Sequence, residues 1–370
     1  MTDFNPQRLS IARRRRAMSK KGVADAVDVT PNTILRYESG EIIPGEDVLD
    51  RLAVSLDFPK AFFFGEDADE PRRDNASFRG MASKSGKIMD AALASGALAF
   101  LLDDWFSNKY DRPEPNVPDL RHQQPETAAI MLRQHWRLGD KPIENMIHLL
   151  ETNGVRVFSL AENTKEVDAF SLWRDDIPYV FLNRFKSSER SRFDAAHELA
   201  HLCLHKHGGA STDYVGSNIE RDANAFAGAF LMPGNDVMAI CAPQIYGVDQ
   251  LINYKKRWRV SISALNYRLH ELGLLRESRY NSNYVEMSRR GWLKNEPREI
   301  PRERSHVWQE AIPDLARQGV TKARIAADIS VPPQEIEALL FGLASMLTIE
   351  GSGSTTPRRN IQLKVVKSGM

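Results

Sequence analysis

The sequence has few cysteines, no long apolar run and no cleavable leader pattern, and each absence excludes a class of protein. Two cysteines, Cys203 and Cys241, are too few for a disulfide framework and suit a reducing compartment. The longest apolar stretch, Ala91–Leu102, contains Ser95 and Gly96 and is too short to span a bilayer. The first residues contain no apolar core of signal-peptide length. We therefore expect a cytoplasmic protein with no membrane partner.

Net charge is also nearly absent. The formal charge is +1 over 370 residues, so the global charge does not indicate a nucleic-acid partner and any basic surface must be local. With 42% hydrophobic and 27% charged residues, the chain is long enough for two or three globular domains. No internal repeat of solenoid length is present.

What is present is a pair of histidines four residues apart, His197 and His201, in an otherwise apolar helical segment. On an α-helix this spacing places both imidazoles on one face, one turn apart. Glu198 lies beside them, which completes H-E-x-x-H, the arrangement in which two imidazoles hold zinc and the glutamate accepts a proton from the water on the metal. Ser187 or Ser188 is expected to cap this helix, and Gly208-Gly209 to end it.

A third candidate ligand, Glu220, opens the segment that runs to Pro233. Ala223, Phe226, Ala227 and Phe230 mark one face of a second helix, so Glu220 is predicted to project from its first turn toward the metal. Two histidines, one glutamate and an open position form the ligand set of a hydrolytic zinc site. Asn224 is placed to hydrogen-bond a ligand histidine from outside.

These motifs carry a family resemblance. Residues 130–233 resemble the ImmA/IrrE metallo-endopeptidases, which combine H-E-x-x-H with a glutamate-opened E-x-x-A-N-x-F-A…L-M-P helix. The resemblance implies a zinc endopeptidase with His197, His201 and Glu220 as metal ligands and Glu198 as the catalytic base. Asp222 is a nearby rival for the third ligand. The family pattern favours Glu220 because its glutamate stands three residues before the Ala-Asn pair.

Residues 5–66 predict a compact helical module. A first helix begins near Leu9, a second runs from Ser19 through Val27, and a third runs from Pro31 to Glu38 with Thr30 as its N-cap. Two short helices joined by a tight turn, the second with a polar leading edge, describe a helix-turn-helix.

The run Val23-Ala…Val29-Thr-Pro…Ile34…Tyr37-Glu38-x-Gly40…Pro44 resembles the Cro/XRE class of phage-repressor DNA-binding domains. The resemblance implies that three side chains of the third helix face the major groove, where Asn reads adenine and Arg reads guanine. These are Asn32, Thr33 and Arg36. It further implies that basic side chains at the first two helices hold phosphates. These are the run Arg13 to Arg16, among them Arg13 and Arg14, together with Lys20 and Lys21.

The remaining chain predicts helices and a small sheet. Helices are expected at Lys87–Asn108, Ala128–Trp136 and Ile143–Leu150, and strands at Val155–Leu160, Ala169–Trp173 and Tyr179–Leu182. An edge strand beside a zinc helix commonly receives an extended peptide by strand addition. Toward the C-terminus, Val248–Leu275 and Val320–Leu340 look like further helix-turn-helix pairs. We expect Val248–Leu275 to pack against the zinc domain; as the alternative, Lys255, Lys256, Arg257 and Arg259 are a second candidate set for DNA contact.

The predicted fold is therefore multidomain and mostly α. It comprises an all-α helix-turn-helix bundle, a central α+β zincin-like domain with a small sheet, and a helical C-terminal region. The boundaries are 5–66 for the helix-turn-helix domain, 67–125 for a linker and helical connector, 126–235 for the peptidase domain, 236–350 for the helical C-terminal region and 351–370 for a flexible tail.

Two functions follow. In the first, the protein is a DNA-binding transcriptional regulator whose zinc endopeptidase domain cleaves a repressor, an antitoxin or itself in a stress or mobile-element response. In the second, it is a non-cleaving transcription factor or antitoxin whose protease-like domain senses a signal or docks a protein. Zinc is the expected cofactor, and double-stranded DNA and a protein substrate are the expected partners. A homodimer is a further possibility.

Overall fold

The computed structural model describes residues 3–72, 86–160, 167–205, 216–241 and 247–344. Within these ranges the chain forms sixteen α-helices, one 3₁₀ helix and a three-stranded sheet. None of the described helices is both long enough and apolar enough to cross a membrane.

The N-terminal module forms because its caps and apolar positions agree. Side chains of Asn5, Ser19 and Thr30 accept hydrogen bonds from the first-turn amides of three successive helices, and Pro31 occupies the first helical position as predicted. The elements are α1 (Pro6–Arg15), α2 (Lys20–Ala26), α3 (Pro31–Glu38), α4 (Glu46–Leu56) and a 3₁₀ helix (Lys60–Phe64). The predicted helix-turn-helix bundle is confirmed.

Helix α5 (Gly86–Ser107) follows the prediction in length but lies in the interior, because its side chains are buried on almost every side. It packs against α1 on one side and against the sheet on the other, where the rings of Phe100 and Tyr179 are 4.8 Å apart. Gly96 permits this close packing, since a Cβ there would meet Pro71 at 2.5 Å. A segment predicted as a connector is thus a central element of the core.

The sheet has the order β1-β3-β2, with β1 parallel and β2 antiparallel to β3. Asp175 and Asp176 join β2 to β3 in a two-residue hairpin, and both have positive φ, as such a turn requires. Alternation along β2 directs Ala169 to one core and Phe170 to the other. The strands are β1 (Arg156–Ser159), β2 (Ala169–Arg174) and β3 (Ile177–Leu182).

One face of the sheet is covered by a helical layer that contains the H-E-x-x-H helix, α8. Its core includes Leu199, Phe226, Trp258 and Leu265, all of which are fully buried. The layer consists of α6 (Pro125–His135), α7 (Met146–Thr152), α8 (Ser188–Leu204), α9 (Gly216–Leu231), α10 (Gly234–Cys241), α11 (Val248–Trp258), α12 (Ile262–Glu271) and α13 (Glu277–Arg289).

The last three helices return to the N-terminal module. They are α14 (His306–Arg317), α15 (Lys322–Asp328) and α16 (Pro333–Leu340), and their apolar side chains share one core with α1 to α5 and the second face of the sheet. Glu335, in the first turn of α16, is buried and pairs with Arg15 at 2.7 Å and with Arg16 at 2.6 Å. The predicted C-terminal region, 236–350, is therefore divided in its described part between the two cores.

Candidate functional sites

Helix α8 carries the H-E-x-x-H motif in a rigid setting. Ser187 caps the helix by accepting a hydrogen bond from the amide of Arg190, and most of the helix is buried. The helix ends at Leu204. Gly208 and Gly209, which were predicted to end it, lie outside the described residues.

The structure brings together the three predicted metal ligands. His197 Nε2 and His201 Nε2 are 3.1 Å apart, and Glu220 Oε2 and Oε1 lie 3.4 Å and 3.6 Å from these two nitrogens respectively. Because α9 begins at Gly216, Glu220 lies in its second turn, and the prediction of the first turn was wrong. The earlier start adds a turn in front of Glu220, and α9 still directs its carboxylate to α8.

These separations fit a tetrahedral zinc ion. Ligands at about 2.0–2.2 Å from a metal at the centre of a tetrahedron lie about 3.3–3.6 Å from one another. The two nitrogens are 3.1 Å apart, and each lies 3.4 Å or 3.6 Å from a different oxygen of Glu220, so a small rotation of the carboxylate would bring one oxygen to that range from both. Among the described residues, His197, His201 and Glu220 form the one group of three or more potential ligands that converge in this way. Asp222 instead has its carboxylate 3.8 Å from Arg221.

The outer ring nitrogens of both histidines are engaged by other side chains. Asn224 Oδ1 lies 3.1 Å from His197 Nδ1, and His205 Nδ1 lies 3.1 Å from His201 Nδ1. Because an amide oxygen only accepts, His197 must donate from Nδ1, which leaves its Nε2 as the unprotonated, metal-binding nitrogen. Asn224 therefore selects the tautomer that a zinc site needs.

Glu198 contacts the sheet. Its Oε2 accepts a hydrogen bond of 2.8 Å from the hydroxyl of Ser171 on β2, and the residue is only 4% exposed. His197 and Glu220 retain partial exposure, which leaves the ligand cluster accessible from that side.

The N-terminal module presents a second set of polar side chains. On α3, Asn32 and Arg36 are exposed, and Thr33 is half-buried with its hydroxyl 2.8 Å from that of Thr30. Arg36 donates to Glu41 at 2.8 Å, a contact between two exposed side chains. Leu35 is exposed on the same helix, although apolar.

Two parts of the chain match models of known families. Residues 150–270 match the model of a peptidase family described as the IrrE N-terminal-like domain, and residues 7–61 match that of a helix-turn-helix domain. The chain joins a DNA-binding helix-turn-helix domain to an IrrE-like domain. No curated protein matches the chain significantly. The match to the IrrE-like domain includes most of α12. This agrees with the burial of Trp258 and Leu265 in the same core as the apolar side chains of α8.

The IrrE-like domain concentrates carboxylates around its histidines. Burial opposes protonation of His197, but Glu220, Glu198 and Asp194 outweigh it and raise its pKa. Asp194, one turn before His197, has its own pKa raised to about 6 by burial, although Arg190 and Lys186 act in the opposite direction. The site thus favours a bound cation.

Cys203 does not join the ligand cluster of the IrrE-like domain. It is fully buried in the apolar core, and burial raises the pKa of its thiol well above the usual range. It packs as a small hydrophobe, as expected for its position two residues after His201.

Most basic side chains of the helix-turn-helix domain form ion pairs with nearby carboxylates. Arg13 contacts Glu38 and Arg14 contacts Glu70, both at 2.5 Å, while Lys20 lies 3.6 Å from Glu38. Lys21 is exposed. Phosphate contact by Arg13 or Arg14 therefore requires a carboxylate partner to be exchanged.

The second candidate set for DNA contact is changed by the structure. Lys255 was wrongly included, because it is fully buried between Glu189 and Glu296, at 2.8 Å and 2.9 Å. Arg257 pairs with Asp236 at 2.7 Å. These contacts tie α11 to its neighbours in the fold.

Two residues of the sites escaped the sequence analysis. Ser171 interrupts the apolar run Ala169-Phe-Ser-Leu-Trp173, and a lone polar residue on the inward face of a strand was the available signal. Leu35 lies on α3 next to Arg36 in the sequence, and its apolar side chain is exposed.

Proposed function

We propose that this DNA-binding regulator is also a zinc-dependent endopeptidase that cleaves a regulatory protein, such as a repressor or antitoxin, or its own chain. The observation that carries the proposal is the convergence of His197, His201 and Glu220, whose ligand atoms all lie within 4.8 Å of one another, as the ligands of one zinc ion must. A position not taken by these three ligands can then receive water or the substrate carbonyl. A stress or mobile-element response is the proposed setting.

Zinc, when bound, supplies a Lewis acid that polarises the scissile carbonyl and acidifies water. The chain supplies the rest. His197 and His201 bind through Nε2, and Asn224 keeps His197 in the required tautomer. Glu220 contributes the negative charge that makes the ligand set selective for a cation.

Glu198 is the proposed proton carrier. Its carboxylate accepts the proton of the attacking water and passes it to the leaving amine, so that one residue acts as base and then as acid. Its burial beside Ser171 limits the access of solvent to the carboxylate. Its position in α8 places it next to His197.

The helix-turn-helix domain is proposed to read double-stranded DNA through α3. Asn32, Thr33 and Arg36 would face the base edges. Lys20 and Lys21 would contact phosphates, and Arg13 and Arg14 would do so by exchanging Glu38 and Glu70 for phosphate oxygens.

A second function is favoured by the shared core. The helix-turn-helix domain, α5, the sheet and α14 to α16 pack together, and Glu335 joins α16 to α1. Occupancy of the metal site could therefore alter DNA binding without any cleavage, which would make the IrrE-like domain a sensor.

Glu198→Gln separates the two functions because it keeps the shape of the side chain and removes the base. In the zinc-loaded full chain, we expect the substitution to abolish cleavage of a degenerate peptide library and of the chain itself. Mass spectrometry detects the cleavage products. Zinc content and DNA affinity should stay unchanged. Glu144→Gln, at an exposed position, is the matched control. If the parent protein cleaves nothing, or the variant cleaves equally well, the peptidase assignment is wrong.

A further inference from the structure

Strand β2 places one buried hydroxyl, that of Ser171, against Glu198. Its Oγ lies 2.8 Å from Glu198 Oε2 and 3.2 Å from the backbone oxygen of the same residue. Ser171 is fully buried and Glu198 nearly so. The contact is therefore made inside the protein, where a hydrogen bond to a charged group is stronger than in water.

The position of Ser171 is determined by the sheet register. Ser171 pairs with Val180 of β3, and the hairpin at Asp175 and Asp176 sets that register. Because side chains alternate, a slip of one residue would bring the apolar Phe170 or Leu172 to the Glu198 side. The fold thus places a hydroxyl against Glu198, although the neighbouring residues of the strand are apolar.

The chemistry of the pair is directional. A serine hydroxyl has one proton, and of the carboxylate and the backbone oxygen of Glu198 the carboxylate is both the nearer and the stronger acceptor. A glutamate side chain has three rotatable bonds, so an anchored Oε2 restricts the plane of the whole carboxylate. Restriction of this kind matters for a base, since proton transfer requires hydrogen-bond reach.

We propose that Ser171 is a positioning residue for Glu198. It donates to Oε2 and fixes the orientation in which the carboxylate exchanges the proton. The proposal rests on the peptidase function proposed above. It differs from a purely structural role, in which the hydroxyl would only tie β2 to the backbone oxygen of Glu198.

Three variants of the full chain, loaded with zinc, separate these roles. Ser171→Ala removes the hydroxyl, and Ser171→Thr keeps it. Ser159→Ala is the matched control because Ser159 is a fully buried serine of the same sheet whose hydroxyl lies 3.4 Å from a backbone oxygen, that of Leu160. Each variant is assayed for kcat, KM and zinc content, and the zinc-loaded crystal structures of the parent and Ser171→Ala are compared at Glu198.

We expect Ser171→Ala to lower kcat by about 10–100-fold, the usual cost of removing an outer-shell partner, with KM and zinc content unchanged. Ser171→Thr should recover most of the loss, and Ser159→Ala should resemble the parent. In the crystal of Ser171→Ala, the Glu198 carboxylate should rotate or occupy several orientations.

Parental kcat in Ser171→Ala, or equal losses in Ser171→Ala and Ser159→Ala, would overturn the proposal. If the parent protein shows no turnover, the peptidase function fails separately and the crystal structures alone decide. A Glu198 carboxylate that keeps its place without the hydroxyl then refutes the positioning role, and a displaced one supports it.

Discussion

In the IrrE-like domain, His197, His201 and Glu220 converge from two helices on one point, whereas on α3 of the helix-turn-helix domain Asn32 and Arg36 face outward from one helix. The first set gathers its side chains within one molecule. The second set, as proposed, would be completed only by a duplex that lies against it. A convergent site can thus be tested by distances within one molecule, and a divergent one cannot.

The two regions also differ in how charge is used. Residues 3–66 contain ten Lys and Arg and ten Asp and Glu, and most of these basic groups have an acidic partner within 4 Å. Around the metal ligands, Asp194 and Glu198 add carboxylates beyond Glu220. The carboxylates are thus gathered around the metal ligands, while the acidic and basic residues of the helix-turn-helix domain balance in number and largely pair with one another.

The largest expected effect concerns the contact between α16 and α1 of the helix-turn-helix domain. Glu335→Ala removes the buried carboxylate that pairs with Arg15 and Arg16, so the free energy of unfolding should fall by about 3–5 kcal/mol. Denaturant unfolding of the full chain measures it. Asp57→Asn, which removes the exposed charged partner of Arg16 at a position with positive φ, should cost less than about 1 kcal/mol. Equal stability of Glu335→Ala and the parent would show that other contacts hold α16 against α1.

A smaller effect is expected where α7 meets α14. Burial raises the pKa of Glu151 to about 7, although the hydroxyl of Ser305 and the amides of His306 and Val307 donate to its carboxylate. Since the folded pKa exceeds the unfolded one, this stabilising contribution is complete below about pH 4.5 and is lost as the pH rises through 7.

Glu151→Gln removes that titration. Relative to the variant, the unfolding free energy of the parent should fall by about 3 kcal/mol between pH 5 and pH 8. Urea unfolding of both proteins across this range provides the measurement. Parallel pH profiles of the unfolding free energy for the two proteins would contradict the raised pKa of Glu151.

The smallest effect belongs to the divergent site. Arg36→Ala should weaken binding to the preferred duplex by about 1–3 kcal/mol and relax sequence preference at one position, if the arginine reads a guanine. Arg51→Ala is the control, because Arg51 lies on α4 and pairs with Asp47. Fluorescence anisotropy against cognate and scrambled duplexes measures both. A uniform loss over all sequences would reassign Arg36 to phosphate contact.

Local pattern was enough to predict the elements that carry these sites. Thr30-Pro31 marked the start of α3, and the β-rich run at 169–173 marked β2. Spacing was enough to select the two histidines of the ligand cluster, because His197 and His201 are separated by one helical turn whatever surrounds them. The preference for Glu220 over Asp222 came from the family resemblance.

Long-range packing was not predictable in the same way. Nothing near Glu335 in the sequence specifies that it meets Arg15, which is 320 residues away, and the apolar run of α5 fits a connector as well as a core helix. Ser171 meets Glu198 only because the hairpin register and the position of α8 coincide. Such contacts depend on the tertiary fold rather than on local periodicity.

Zinc content is the most direct test of the convergent site. The purified full chain, dialysed against zinc and then against buffer, should retain one zinc ion per chain by elemental analysis. Glu220→Gln should lose most of it, while Asp222→Asn, on the same helix and two residues further on, should retain it. Equal zinc in all three proteins, or loss in Asp222→Asn alone, would contradict the assignment of His197, His201 and Glu220 as the metal ligands.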